Sequence, residues 1–256
     1  MNSRLYLETE VRDKKTYIKD VFFKAPYKIM SPFTDEKTGE IQIMLMSASA
    51  GLLAGDTFES DLVFGKDSKV KYTSQSYDKV FNTKDKFAQK EVKITVKAGA
   101  KVKYMPYPVI PFKNSNFKSH VQVQLDETAS FVYCDIFTCG RSGMGEYFEM
   151  KKTDSYLKVC VGDKLAFADH TLIEPGKFPY NSMGLWQDYT HNGMMYIYVS
   201  DKDKEKELIS VIRQKKNEEE NILLGASNAE NGIIVRIMAM SGEKIYNIFN
   251  EISGVV

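Results

Sequence analysis

Three carboxylates in this chain stand where a carboxylate is unfavourable. Asp56 closes Ser47-Ala-Ser-Ala-Gly-Leu-Leu-Ala-Gly-Asp56, a stretch with no other charge in a chain that is 27% charged. Asp135 interrupts the apolar run Phe131-Val-Tyr-Cys-Asp-Ile-Phe137, and Glu146 follows the glycine loop Arg141-Ser-Gly-Met-Gly145. A carboxylate withdrawn from water must be hydrogen-bonded, paired or used. Two uses suit this set. A pair of carboxylates can hydrolyse a glycosidic bond, although the chain has only Trp186 with which to line a sugar cleft. Carboxylates can also hold a cation in passing. For that, Asp169-His170 offers an oxygen beside a nitrogen, unless it is simply a turn pair.

Other chemistries find little support. There is no Gly-x-Ser-x-Gly elbow, and the loop Arg141–Gly145 lacks the lysine of a phosphate loop. His120, His170 and His191 form no His-x-x-x-His pair, and Cys134, Cys139 and Cys160 form no Cys-x-x-Cys. A permanent high-affinity metal site is therefore not expected. The odd cysteine count points to a reducing compartment. Met1 to Lys15 has no continuous apolar region, and the stretch 41–55 is too short and too polar to span a bilayer. A net charge of +1 gives no electrostatic case for nucleic acid or an anionic membrane. A soluble cytoplasmic protein is expected.

The elements that must position the carboxylates repeat. Phe64-Gly-Lys-Asp-Ser-Lys-Val-Lys-Tyr72, Val96-Lys-Ala-Gly-Ala-Lys-Val-Lys-Tyr104 and Leu125-Asp-Glu-Thr-Ala-Ser-Phe-Val-Tyr133 align without gaps, and Val159–Phe167 is a looser fourth copy. Alternation on both sides of a short turn predicts β-hairpins, and a period near thirty predicts that they stack on a shared core. Two residues beyond the anchoring aromatics come Ser74, Pro106, Asp135 and Asp169. Stacking would set Ser74, Asp135 and Asp169 toward one side as a polar file, whereas an edge position would leave Asp135 in solvent or paired with a base. Apolar spacing predicts a charged surface helix over Asp201–Lys216. Gly232–Ala239 reads as a buried strand, and Ser241–Ile252 as a helix capped by Ser241. That last helix carries Ile245, Ile248, Phe249 and Ile252 on one side, to pack on the core or meet a partner. The fold class is mainly β: stacked β-hairpin sheets, solenoid- or sandwich-like, with two C-terminal helices in a single domain over 1–256.

Five motifs, in order, are similar to the signature of the UreD (UreH) family of urease accessory proteins. They are Ala50-Gly51-Leu-Leu-Ala-Gly55-Asp56; Thr73-Ser-Gln75-Ser with Lys79-Val80; Tyr104-Met-Pro-Tyr-Pro-Val-Ile-Pro-Phe112; Gly140-Arg141 with Gly145-Glu146; and Gly232-Ile-Ile-Val-Arg236. Ala50 departs from the pattern, where many members carry glycine; a positive φ there would be costly.

The resemblance implies a β-rich scaffold with no catalysis of its own. It implies binding to the urease apoprotein and UreF, with UreG recruited through UreF, and nickel as an ion in transit rather than a resident cofactor. Asp56, Gln75, Lys79, Asp135, Glu146 and Asp169 become candidates for a polar internal passage or for partner contact. Carboxylates and neutral oxygens would hold partly hydrated Ni²⁺ briefly, and Lys79 could pair with a carboxylate to fix the path. Asp56 is either a gatepost or a cap of its turn. Gly51, Gly55, Gly140, Arg141 and Arg236 are expected to be structural. A scaffold that opens urease without conducting nickel, and a β-solenoid carbohydrate-active enzyme, are the alternative readings.

Overall fold

The computed structural model of the chain describes residues 1–214 and 221–256. Its first strands are β1 (Asn2–Arg12), β2 (Lys15–Phe23), β3 (Tyr27–Ile29), β4 (Phe33–Thr34), β5 (Ile41–Ser47) and β6 (Thr57–Phe64). There follow β7 (Lys69–Ser74), β8 (Asp78–Val80), β9 (Ala88–Val96), β10 (Lys101–Met105), β11 (Val109–Pro111), β12 (Asn116–Leu125) and β13 (Ser130–Thr138). The last are β14 (Lys152–Val161), β15 (Lys164–Ile173), β16 (His191–Val199), β17 (Ile222–Ala229) and β18 (Gly232–Ala239), with helices α1 (Lys202–Gln214) and α2 (Gly242–Gly254). The final two residues of the helix expected over Asp201–Lys216 lie outside the described residues.

Two sheets face each other. The first runs β15-β14-β12-β9-β6-β1-β2; the second runs β17-β18-β16-β13-β10-β7-β5-β3, with β4 on β5 and β11 joining β13 to β8. Stacking of the repeat is as expected, but the strands of a unit do not pair with each other. β6, β9 and β12 lie in the first sheet, while β7, β10 and β13 lie in the second. Each four-residue turn is thus an arch from sheet to sheet, closed in all three copies by the same bond: Ser68 N–H to Gly65 O, Ala100 N–H to Lys97 O and Ala129 N–H to Asp126 O, each at 3.1 Å. A short turn between alternating strands serves a hairpin or an arch equally well. The repeat decides for the arch, because each strand finds its equivalent in the next copy and pairs with it in parallel, in register: Tyr72 beside Tyr104, Tyr104 beside Tyr133. The fourth copy is a true hairpin, β14 against β15, with Val159 opposite Phe167. Antiparallel β16 already occupies the free edge of β13.

Inward residues of the two sheets form the main core. Leu62, Phe64, Ile94, Val96, Phe117 and Phe131 are at most 1% exposed. The tyrosines stack at 5.1 Å (Tyr72–Tyr104) and 5.7 Å (Tyr104–Tyr133) between ring centres. A second core lies on the outer face of the second sheet, where Ile209 and Ile212 of α1 and Ile245, Phe249 and Ile252 of α2 pack on Val132, Ile136, Met195 and Ile237. Ser241 caps α2, its hydroxyl accepting from Lys244 N–H. The last helix therefore packs on the core.

Candidate functional site

The uncharged stretch after β5 exists because it must lie against another backbone. Gly51 has φ of +149°, and a Cβ there would sit 2.3 Å from the carbonyl oxygen of Lys79. That closeness lets Leu52 N–H donate to Lys79 O at 2.8 Å and Phe81 N–H to Leu52 O at 2.9 Å. Ala50 is exposed and keeps a negative φ, so the departure from glycine carries no strain. Between this loop and β7–β8 opens a cavity of about 160 Å³. Exposed Gln75 and Lys79 line it, together with the inner residues Tyr27, Tyr72, Asp78 and Lys90.

A polar layer continues from the cavity between the sheets. Lys90 meets Asp78 at 2.5 Å, with side chains only 14% and 21% exposed. Burial opposes the charge on Lys90, but the adjacent Asp78 outweighs it and holds the ammonium above its ordinary range. Burial also pushes the Tyr104 hydroxyl up to about 12, and Tyr27 Oη is buried with no hydrogen-bond partner among the described residues. Across the first sheet, register sets Lys90 beside Ser119, Ser119 beside Ser155, and Ser155 beside Thr171. This is one row on four strands. Ser155 Oγ reaches across to donate to Asp135 Oδ2 at 3.0 Å. Burial raises the Asp135 carboxyl to about 6, against the lowering effect of the Ser155 hydrogen bond and of Lys90; Asp169 adds to the rise. Asp169 accepts from Thr171 Oγ1 at 3.1 Å and pairs with Arg236, whose side chain is 49% exposed. The layer therefore runs from the cavity toward solvent at Arg236. Its hydroxyls and single carboxylates can hold a hydrated cation weakly. Among the described residues, no three His, Cys, Asp or Glu side chains converge to bind a metal.

Of the residues singled out from the sequence, Gln75 and Lys79 stand at the cavity, and Asp135 and Asp169 in the layer. Asp56 lies apart, 4% exposed. It accepts from Leu53 N–H at 2.8 Å and from the Met1 ammonium at 2.7 Å, so it ties its own turn, at Gly55, to the start of β1. Glu146 lies beyond β13, gripped by Nε and Nη2 of Arg141. That pairing holds its carboxyl below the usual range, and Arg141 in turn covers the Phe112 ring at 4.4 Å. Gly140 (φ +129°) lets this loop close against Glu146 O. Sequence reasoning missed Asp78, Lys90 and Tyr27. The signal for Lys90 was present: it shares period-2 register with Ala88, Val92, Ile94 and Val96, the inward face of β9.

The family model described as UreD urease accessory protein matches residues 1–256. The chain is 31% identical to the urease accessory protein UreD of Acetivibrio thermocellus over 99% of this chain and 97% of that one. It is 33% identical to UreH of Helicobacter hepaticus over 93% and 92%, and 30% identical to UreD of Flavobacterium johnsoniae over 98% and 91%.

Proposed function

Because the chain belongs to the UreD family of urease accessory proteins, we propose that it serves urease maturation as a non-catalytic chaperone. In this reading it docks on the urease apoprotein and on UreF, with UreG recruited through UreF, and passes nickel along its polar layer toward the urease site. The observation that carries this is the row Lys90–Ser119–Ser155–Thr171 between otherwise apolar sheets, met from the second sheet by Asp78 and Asp135 and flanked on β15 by Asp169. Burying so many polar groups in one plane is unfavourable unless they serve water or an ion. Isolated carboxylates suit a passing ion, which must be held weakly enough to leave.

The test is to replace Asp135 or Asp169 with Leu and measure the nickel content of co-expressed urease, with assembly of the accessory complex as control. Nickel per urease site is expected to fall severalfold while the complex still forms. Normal nickel loading in an assembled variant overturns the conduit. A second reading has its own support: the Lys90 ammonium at the inner wall of the cavity repels a dication, which favours a scaffold that opens urease without conducting. That reading predicts that interior variants load nickel normally and only surface variants fail.

A further inference from the structure

The repeat that builds the sheets also builds a cationic face, independent of the polar layer. Lys69-Val-Lys-Tyr72 and Lys101-Val-Lys-Tyr104 are the same four residues, and parallel pairing sets Lys101 beside Lys69 and Lys103 beside Lys71. Val70, Tyr72, Val102 and Tyr104 are buried between the sheets. The four lysines therefore stand on the outer face in two adjacent rows. Paired strands lie about 4.8 Å apart, and like charges directly opposite on a sheet repel.

The flanking strands do not relieve this. Gln42 of β5 lies beside Lys71, and Ser130 and Val132 of β13 lie beside Lys101 and Lys103. Two ammoniums find only neutral partners: Lys69 Nζ donates to Thr38 O at 2.8 Å and Lys71 Nζ to Asn250 Oδ1 at 2.7 Å. Lys103 stands 3.5 Å from Glu40. The Lys101 ammonium is exposed and makes no ion pair or side-chain hydrogen bond among the described residues; its backbone N–H donates to Ser68 O at 2.7 Å. Lys69, Lys101 and Lys103 converge on a depression of about 310 Å³, with Glu40, Ser130 and the terminal Val256 as further walls. Glu40 is the one acidic side chain of the depression, so cationic side chains remain in excess, with Lys71 in the neighbouring row.

We propose that this depression binds a multiply charged phosphate group. Ammoniums on flexible stems bind phosphate as point charges with rotatable donors. Two rows of them are better matched by an anion of several charges than by one carboxylate, and the Ser130 hydroxyl adds a donor. The group is either a free inorganic anion or the phosphate end of a nucleotide.

The experiment is calorimetric titration of the full chain at low salt with inorganic pyrophosphate and, separately, with ADP. Both are repeated on Lys69→Gln/Lys101→Gln and on Lys93→Gln/Lys158→Gln, a control pair exposed on the first sheet. Saturable binding is expected, weakening with added salt. Loss of about tenfold in affinity or more is expected in the first variant and none in the control. Tighter binding of ADP than of pyrophosphate assigns the group to a nucleotide; equal or weaker binding assigns it to the free anion. No binding of either probe, or equal loss in both variants with unchanged melting temperature, overturns the site.

Discussion

At the scale of the residue, Asp135 concentrates the tension of the interior. Its carboxyl titrates near 6 because burial disfavours the charge. In the unfolded chain the same group titrates near 4. Below about pH 4 it is protonated in both states and costs nothing. Between 4 and 6 the unfolded form ionises first, so folding is increasingly penalised, and above 6 the full penalty stands. That penalty is at most about 3 kcal/mol. Asp135→Asn should therefore raise the melting temperature at pH 7.5 and leave it unchanged at pH 4, as a thermal denaturation series would show. In the proposed nickel passage, protons should compete with a cation at Asp135 below about pH 6. Asp135 was legible as a residue because a charge broke an apolar run. Its partner Ser155 was not, since a serine in an alternating strand carries no mark, and Asp78 was hidden because only the fold brings β8 of the second sheet opposite β9 of the first.

At the scale of the element, the outer helix depends on a missing side chain. Gly193 sits in the middle of the second sheet, where a Cβ would lie 2.5 Å from Ile245 Cγ2 and 2.9 Å from Phe249 Cε2. Gly193→Ala should push α2 outward and cost about 1–3 kcal/mol, with faster backbone hydrogen exchange over 242–254 than elsewhere. The N-terminal end of α2 rests on His191, where a Cβ on Gly242 would meet the ring at 3.0 Å. Burial holds that imidazole neutral, its pKa down at about 4. Helix α2 was readable from its cap and apolar spacing. The arches were not, because a turn of four residues does not say which strand its neighbour will pair with; only the register between copies does.

At the scale of the whole molecule, each copy pairs with its neighbours and little else, so stability should grade along the stack. Backbone hydrogen exchange is expected to be slowest in β9, β10, β12 and β13 and fastest in the outer strands β2, β15 and β17; uniform protection across both sheets would contradict this. The stacking was visible in the sequence as a thirty-residue period. The direction of the polar layer was not, since it runs across the strands and no local pattern follows it. Its geometry nonetheless has an arithmetic. In-register stacking puts every copy's equivalent residue at one height, so an added arch would insert one rung into the tyrosine ladder and one into the polar row together. The span between the cavity and Arg236 is therefore quantised in strand spacings of about 4.8 Å. Such a fold can lengthen or shorten what it spans by whole repeats, without redesigning the chemistry of any rung.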